Sequence, residues 1–114
     1  MRIVKKPWGH EEIWAETDRY LGKILYINKG HRLSLQYHEK KVETIRVLQG
    51  KLTLVLQDKR DGPIFNKVLV EGDTYHVATG TIHRFCATDE DVAILEVSSP
   101  EIDDVVRLED DYAR

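Results

Sequence analysis

The sequence contains one cysteine, Cys86, so no disulfide can form within the chain and the fold must rest on an apolar core, a bound metal or a partner chain. It has no apolar run approaching the ~18 residues that a membrane-spanning helix requires. Its hydrophobic fraction of 41% is nonetheless enough for a core. An excess of one charge is also missing: 17 basic side chains face 20 acidic ones, interleaved along the chain, for a net charge of −3. With no basic block to track a phosphate backbone, nucleic acid is not the expected partner. The start, Met1 to Pro7, carries a few basic residues but lacks the apolar stretch and small-residue cleavage site of a secretory signal, so the chain reads as soluble and cytoplasmic. There is no internal repeat, linker or low-complexity segment, and 114 residues leave room for one domain, 1–114. Cys86, within Phe85-Cys86-Ala87, reads as a small buried hydrophobe.

Helical periodicity is likewise missing between Ile24 and Val97. What stands there is a series of short runs rich in Val, Ile, Leu and Tyr, around 11–15, 22–28, 33–38, 43–49, 51–57, 64–70, 74–77, 83–87 and 92–98. Turn formers such as Lys29-Gly30, Gln49-Gly50, Asp61-Gly62-Pro63, Glu71-Gly72-Asp73 and Thr79-Gly80 separate them. Strands at this spacing predict an all-β sandwich or closed barrel over about 11–98. Ser99-Pro100-Glu101 has the capping hydroxyl, first-turn proline and acid of a helix start, which predicts a short C-terminal helix or docked tail over 99–114. At the other end, Ile3-Val4 or His10 to Ala15 reads as a strand able to add to a neighbour's sheet. Trp8, Trp14, Tyr20 and Tyr26 read as filling the core or a subunit interface.

The chemistry concentrates after Gly30. Gln36 and His38 are two apart, and in a strand that spacing puts an amide oxygen and an imidazole on one face. The turn Glu39-Lys40-Lys41 then reverses the chain and returns Glu43 toward them, and His83, opening a later strand after Gly80, supplies a fourth donor. Two imidazoles, a carboxylate and an amide suit one borderline divalent ion with positions left open, zinc being favoured over manganese, iron, nickel or cobalt. His10, His31 and His76 fall outside this spacing.

These residues resemble the two motifs of the cupin superfamily. Gly30, Gln36, His38, Glu43 and Gly50 fall on the first motif, with glutamine in place of its first histidine; Gly72, Gly80 and His83 fall on the second, with Ala78 for its proline and Ala87 for its asparagine. Ser34-Leu35-Gln36-Tyr37-His38 is similar to the Ser-Leu-Gln-x-His of the cupin domain of type II phosphomannose isomerases, which is often fused to a mannose-1-phosphate guanylyltransferase. Pro7-Trp8-Gly9, His83-Arg84 and the stretch from Asp104 to Arg114 extend the likeness over nearly the whole chain, with Thr44 standing for a histidine and Ala113 for a glycine. The resemblance implies a single-domain jelly-roll β-barrel that pairs as a homodimer and interconverts aldose and ketose forms of a phosphorylated sugar such as mannose 6-phosphate.

In that chemistry the metal acts as Lewis acid and a modest base moves a proton. Strand position makes Glu11, Glu96 and Lys23 candidates for the base. Lys23, Arg46, Arg84, Arg107 and Arg114 are candidates for gripping phosphate, and the resemblance implies an active-site role for Arg114. Two other readings use the same residues: a metal-dependent cupin dioxygenase, against which the glutamine argues, and a non-catalytic sugar-binding cupin.

Overall fold

Alternation with period two sets the inward faces of the strands Gly9–Glu16, Leu21–Ile27 and Glu43–Gln49. The computed structural model describes residues 1–112, in which eleven strands and no helix occur. The strands are β1 (Arg2–Lys6), β2 (Gly9–Glu16), β3 (Leu21–Ile27), β4 (Leu35–Tyr37), β5 (Glu43–Gln49), β6 (Leu52–Gln57), β7 (Ile64–Leu69), β8 (Thr74–Val77), β9 (Ile82–Cys86), β10 (Val92–Ser98) and β11 (Val106–Glu109). They form two antiparallel sheets, one ordered β1-β2-β3-β10-β5-β8 and the other β11-β4-β9-β6-β7. Gly50 carries the chain from the first sheet to the second at φ 83°, where a Cβ would meet the Asp91 carbonyl oxygen at 2.3 Å.

The inward faces share a composition that changes along the barrel. In β3 the inward residues are Lys23, Leu25 and Ile27; in β5 they are Glu43, Ile45 and Val47; in β9, His83 and Phe85; in β10, Ile94 and Glu96. The register sets Glu96 against Lys23 and Ile94 against Leu25. One end of the interior is therefore an apolar plug, which Trp8, Leu33, Leu52, Leu54 and Val92 complete, and the other end collects ionisable groups. Cys86 is buried and free, as expected.

Both chain ends depart from expectation. The segment expected to cap a helix, Ser99-Pro100-Glu101, instead lets the Ser99 Oγ accept the Val42 N–H at 3.1 Å. The tail continues into β11, antiparallel to β4. The reason is local: Val106 and Leu108 alternate with the more exposed Arg107 and Glu109, and β4 offers an open edge that a helix would leave unpaired. Arg84 pins this strand, donating to the Leu33 carbonyl at 2.8 Å and the Glu109 carbonyl at 3.1 Å. At the other end β1 pairs with β2 of its own chain, Val4 opposite Glu11, and β2 lies between β1 and β3. Neither segment expected to extend a neighbour's sheet is thus free in that way, except at the outer edge of β1. The strand system runs from Arg2 to Glu109 rather than over 11–98. Of the four aromatics expected to fill a core or interface, Trp8 joins the core, Tyr26 stacks on His10 with ring centroids 4.5 Å apart, and Trp14 and Tyr20 stand exposed.

Candidate metal centre

The structure brings His38, Glu43 and His83 together from the end of β4, the start of β5 and β9. His38 lies 5%, Glu43 2% and His83 1% exposed. Each imidazole is oriented through its far nitrogen: His83 Nδ1–H donates to the Thr81 carbonyl at 2.8 Å, and His38 Nδ1–H donates to the Asp104 carbonyl. A carbonyl can only accept, so Nδ1 carries a proton in both rings, and in the neutral imidazole each Nε2 presents a lone pair. Both lone pairs face Glu43 Oε1, at 3.3 Å from His38 and 3.2 Å from His83. None of these three atoms has a hydrogen-bond partner.

Three buried acceptors pointed at one another form a set that a cation between them would satisfy. The spacing fits one: donor atoms bound at about 2.0–2.1 Å to a shared ion, at near-tetrahedral angles, stand about 3.3 Å apart. The carbonyls that orient the imidazoles are the outer contacts expected of metal-bound histidines. Gln36 sits opposite His83 in the β4–β9 ladder, and its Oε1 accepts the Ser34 hydroxyl at 2.6 Å, leaving a second lone pair on that oxygen.

Behind the three acceptors runs a row of alternating charges. Lys41 Nζ lies 3.7 Å from Glu43 Oε2 and 3.2 Å from Glu96 Oε2; Lys23 Nζ lies 3.9 Å from Glu96 Oε2 and 3.4 Å from both Glu11 oxygens. Burial would raise the Glu43 carboxyl, but hydrogen bonding from His38 and His83 when their Nε2 atoms carry protons, then from the Glu96 carboxyl, and the charge of Lys41 hold it well below the usual carboxylate range. Glu96 goes the other way: complete burial, then repulsion from Glu43, push it up to about 8 against the pull of Lys41 and Lys23. Lys41 is raised, the attraction of Glu96 and Glu43 outweighing its own burial.

Glu11, Lys23 and Glu96 therefore do share one site with the ligand group. Lys41, read from sequence as a turn residue, belongs with them. The signal was its position two before Glu43, on the same face. Asp104 was also missed. Its carboxylate accepts the N–H groups of Glu39, Lys40 and Lys41 at 3.1, 2.8 and 2.8 Å, holding the β4–β5 turn that carries the ligands. These backbone donors keep its carboxyl below the usual range.

His38 and Gln36 open onto a cavity of about 200 Å³, lined also by Glu11, Lys23, Lys41 and Trp8, with β1 and the segment around β11 at its mouth. Of the expected phosphate-gripping residues, Arg107 lines this cavity, Arg84 is buried on backbone carbonyls, and Arg46 points outward. Arg114 lies outside the described residues. His10, His31 and His76 make contacts elsewhere, with Tyr26, Tyr112 and Thr44. Among the described residues no helix is long and apolar enough to cross a membrane.

Two antiparallel sheets closed over an apolar plug, with a His/Glu/His group at the open end, define a cupin barrel. The same architecture is found in the capsular polysaccharide assembling protein CapF of Staphylococcus aureus, which superposes with a TM-score of 0.83 over 95% of this chain and 34% of that one at 17% identity, a likeness of fold. Within the cupins, this chain belongs to the family of mannose-6-phosphate isomerase C-terminal domains, whose model matches residues 1–110. It is similar to the mannose-1-phosphate guanylyltransferase of Escherichia coli strain K12, 32% identical over 99% of this chain and 23% of that protein. It is also similar to the alginate biosynthesis protein AlgA of Pseudomonas aeruginosa, 30% identical over 97% of this chain and 23% of that protein. The chain thus spans about a quarter of the length of these curated relatives.

Proposed function

We propose that this cupin is a metal-dependent aldose–ketose isomerase of a phosphorylated sugar, with mannose 6-phosphate as the leading substrate, and that His38, Glu43, His83 and Gln36 hold one divalent ion, zinc for preference. The observation that carries the reading is the set of three partnerless acceptor atoms, Glu43 Oε1 lying 3.3 Å from His38 Nε2 and 3.2 Å from His83 Nε2, with His38 and Gln36 lining the adjoining cavity. Family membership supports the substrate class.

A divalent ion bound there supplies Lewis acidity toward the carbonyl and neighbouring hydroxyl of an open-chain sugar. Gln36 is uncharged, so Glu43 is the one anionic ligand and leaves most of the ion's field for substrate oxygens. The proton between the two sugar carbons needs a carrier that reaches the cavity. Glu11 and Lys23 line it, whereas Glu96 is fully enclosed. Glu11 is assigned the transfer, with Lys23 Nζ donating to its carboxyl group at 3.4 Å. Glu96 is assigned to holding Lys23 and Lys41 in place. Arg114 is assigned to binding substrate. The reading includes a homodimer through the outer face of the six-stranded sheet, where Trp14, Leu48 and Val97 are 48%, 43% and 47% exposed.

The test is elemental analysis of the purified protein followed by a coupled assay over a panel of hexose phosphates. One zinc per chain and turnover of mannose 6-phosphate are expected, and His38→Ala should lose both while retaining a folded barrel. Oxygen uptake with bound iron, or sugar binding without turnover, would refute the isomerase; one metal per chain in His38→Ala would refute the ligand set.

A further inference from the structure

The mouth of the cavity is positive in a chain whose net charge is −3. Its lining carries Arg2, Lys6, Lys23, Lys41 and Arg107 against Glu11 and Asp103. The deep cations are already partnered, Lys23 by Glu11 and Lys41 by Glu96 and Glu43. Arg2 at the mouth shares its charge with Glu16 at 2.9 Å. Lys6 and Arg107 have no ion-pair partner among the described residues. They come from opposite ends of the chain, Lys6 closing β1 and Arg107 in β11, and line the same opening. In β1 the alternation is consistent: Arg2, Val4 and Lys6 line the cavity while Ile3 and Lys5 are exposed on the other face.

We infer that Lys6 and Arg107, with Arg2 beside them, form a subsite at the cavity mouth for the phosphoryl group of a phosphomonoester, whose sugar end then reaches the His38–Glu43–His83 group. This rests on the isomerase reading for its substrate class, but not for its geometry. Two cations without counter-ions on facing strands match a dianion better than a single carboxylate. The guanidinium supplies a planar fork for two phosphoryl oxygens and the ammonium a point charge for the third. Asp103 is the one acid at the mouth and opposes the anion.

The experiment is calorimetric titration of the zinc-loaded full chain with inorganic phosphate, and with fructose 6-phosphate against fructose. Phosphate should bind, compete with fructose 6-phosphate, and lose about tenfold or more in affinity in the double variant Lys6→Gln/Arg107→Gln. Asp103→Asn should tighten it and the outward Lys5→Gln should leave it unchanged, with one zinc retained throughout. No phosphate binding by the native chain, or equal binding by the double variant, would overturn the subsite. Phosphate binding that depends on Lys6 and Arg107 without turnover of any hexose phosphate would refute the isomerase and leave the subsite standing. Turnover with an unchanged KM in the double variant would do the reverse.

Discussion

Glu96→Gln distinguishes a buried carboxylic acid from a buried carboxylate. At neutral pH the Glu96 carboxyl, pushed up to about 8, is protonated in the folded metal-free protein, whereas in the unfolded chain it ionises near 4.5. The folded state then holds a proton that the unfolded state has released, so stability is greatest below pH 4.5, falls as pH rises, and has lost this contribution once pH passes about 8. At about 1.4 kcal/mol for each pH unit, the interval is worth at most about 5 kcal/mol. Glutamine reproduces the neutral acid: its oxygen accepts from Lys41 and its amide donates toward Glu43, but it cannot ionise. Urea unfolding of chelator-treated native chain and Glu96→Gln at pH 5, 7 and 9 measures the difference. The variant should match or fall below the native chain at pH 5 and gain on it by several kcal/mol at pH 9. Parallel profiles across this range would refute the assignment of a neutral Glu96.

Asp104→Ala removes the carboxylate from three backbone donors in the ligand turn and loosens the segment whose carbonyl orients His38. Zinc affinity should fall about 10- to 100-fold by chelator competition, with circular dichroism unchanged. Trp14→Glu places a charge on the outer sheet face, on β2 beside Gly22 of β3, where the indole ring lies 2.7 Å from the position a Gly22 Cβ would take. Sedimentation at micromolar concentration should show a dimer of native chains, with an interface of about 1,600 Å², and a monomer for the variant; a native monomer would refute the proposed pairing.

The convergence of His38, Glu43 and His83 was legible in the sequence because parity along a strand survives folding. His38 two after Gln36, and Glu43 just beyond a three-residue turn, could converge in few other ways, and the glycines at 30, 50, 72 and 80 do adopt φ between 82° and 90°. What was not legible depended on partners distant in sequence. Whether Ser99 caps a helix or a neighbouring strand's N–H depends on Val42 lying 57 residues earlier. The edge that turns Val106–Glu109 into a strand belongs to β4, and nothing local to the tail announces it. Lys41 looked like turn material because lysine is ordinarily solvated, and only the Glu43 carboxylate and the Glu96 carboxyl oxygen beside it make its burial tolerable.

That row of alternating charges, Glu11, Lys23, Glu96, Lys41 and Glu43, constrains how a lineage can drift. Removing Lys23 or Lys41 leaves buried acids without their cation, whereas Glu96, already a neutral acid, tolerates an uncharged stand-in, so a lysine of this row is lost only together with an acid beside it. Descendants that abandon the chemistry should shed each lysine with one of its acids, and a chain that has lost a lysine alone should be recognisable by its fragility rather than by its loss of activity.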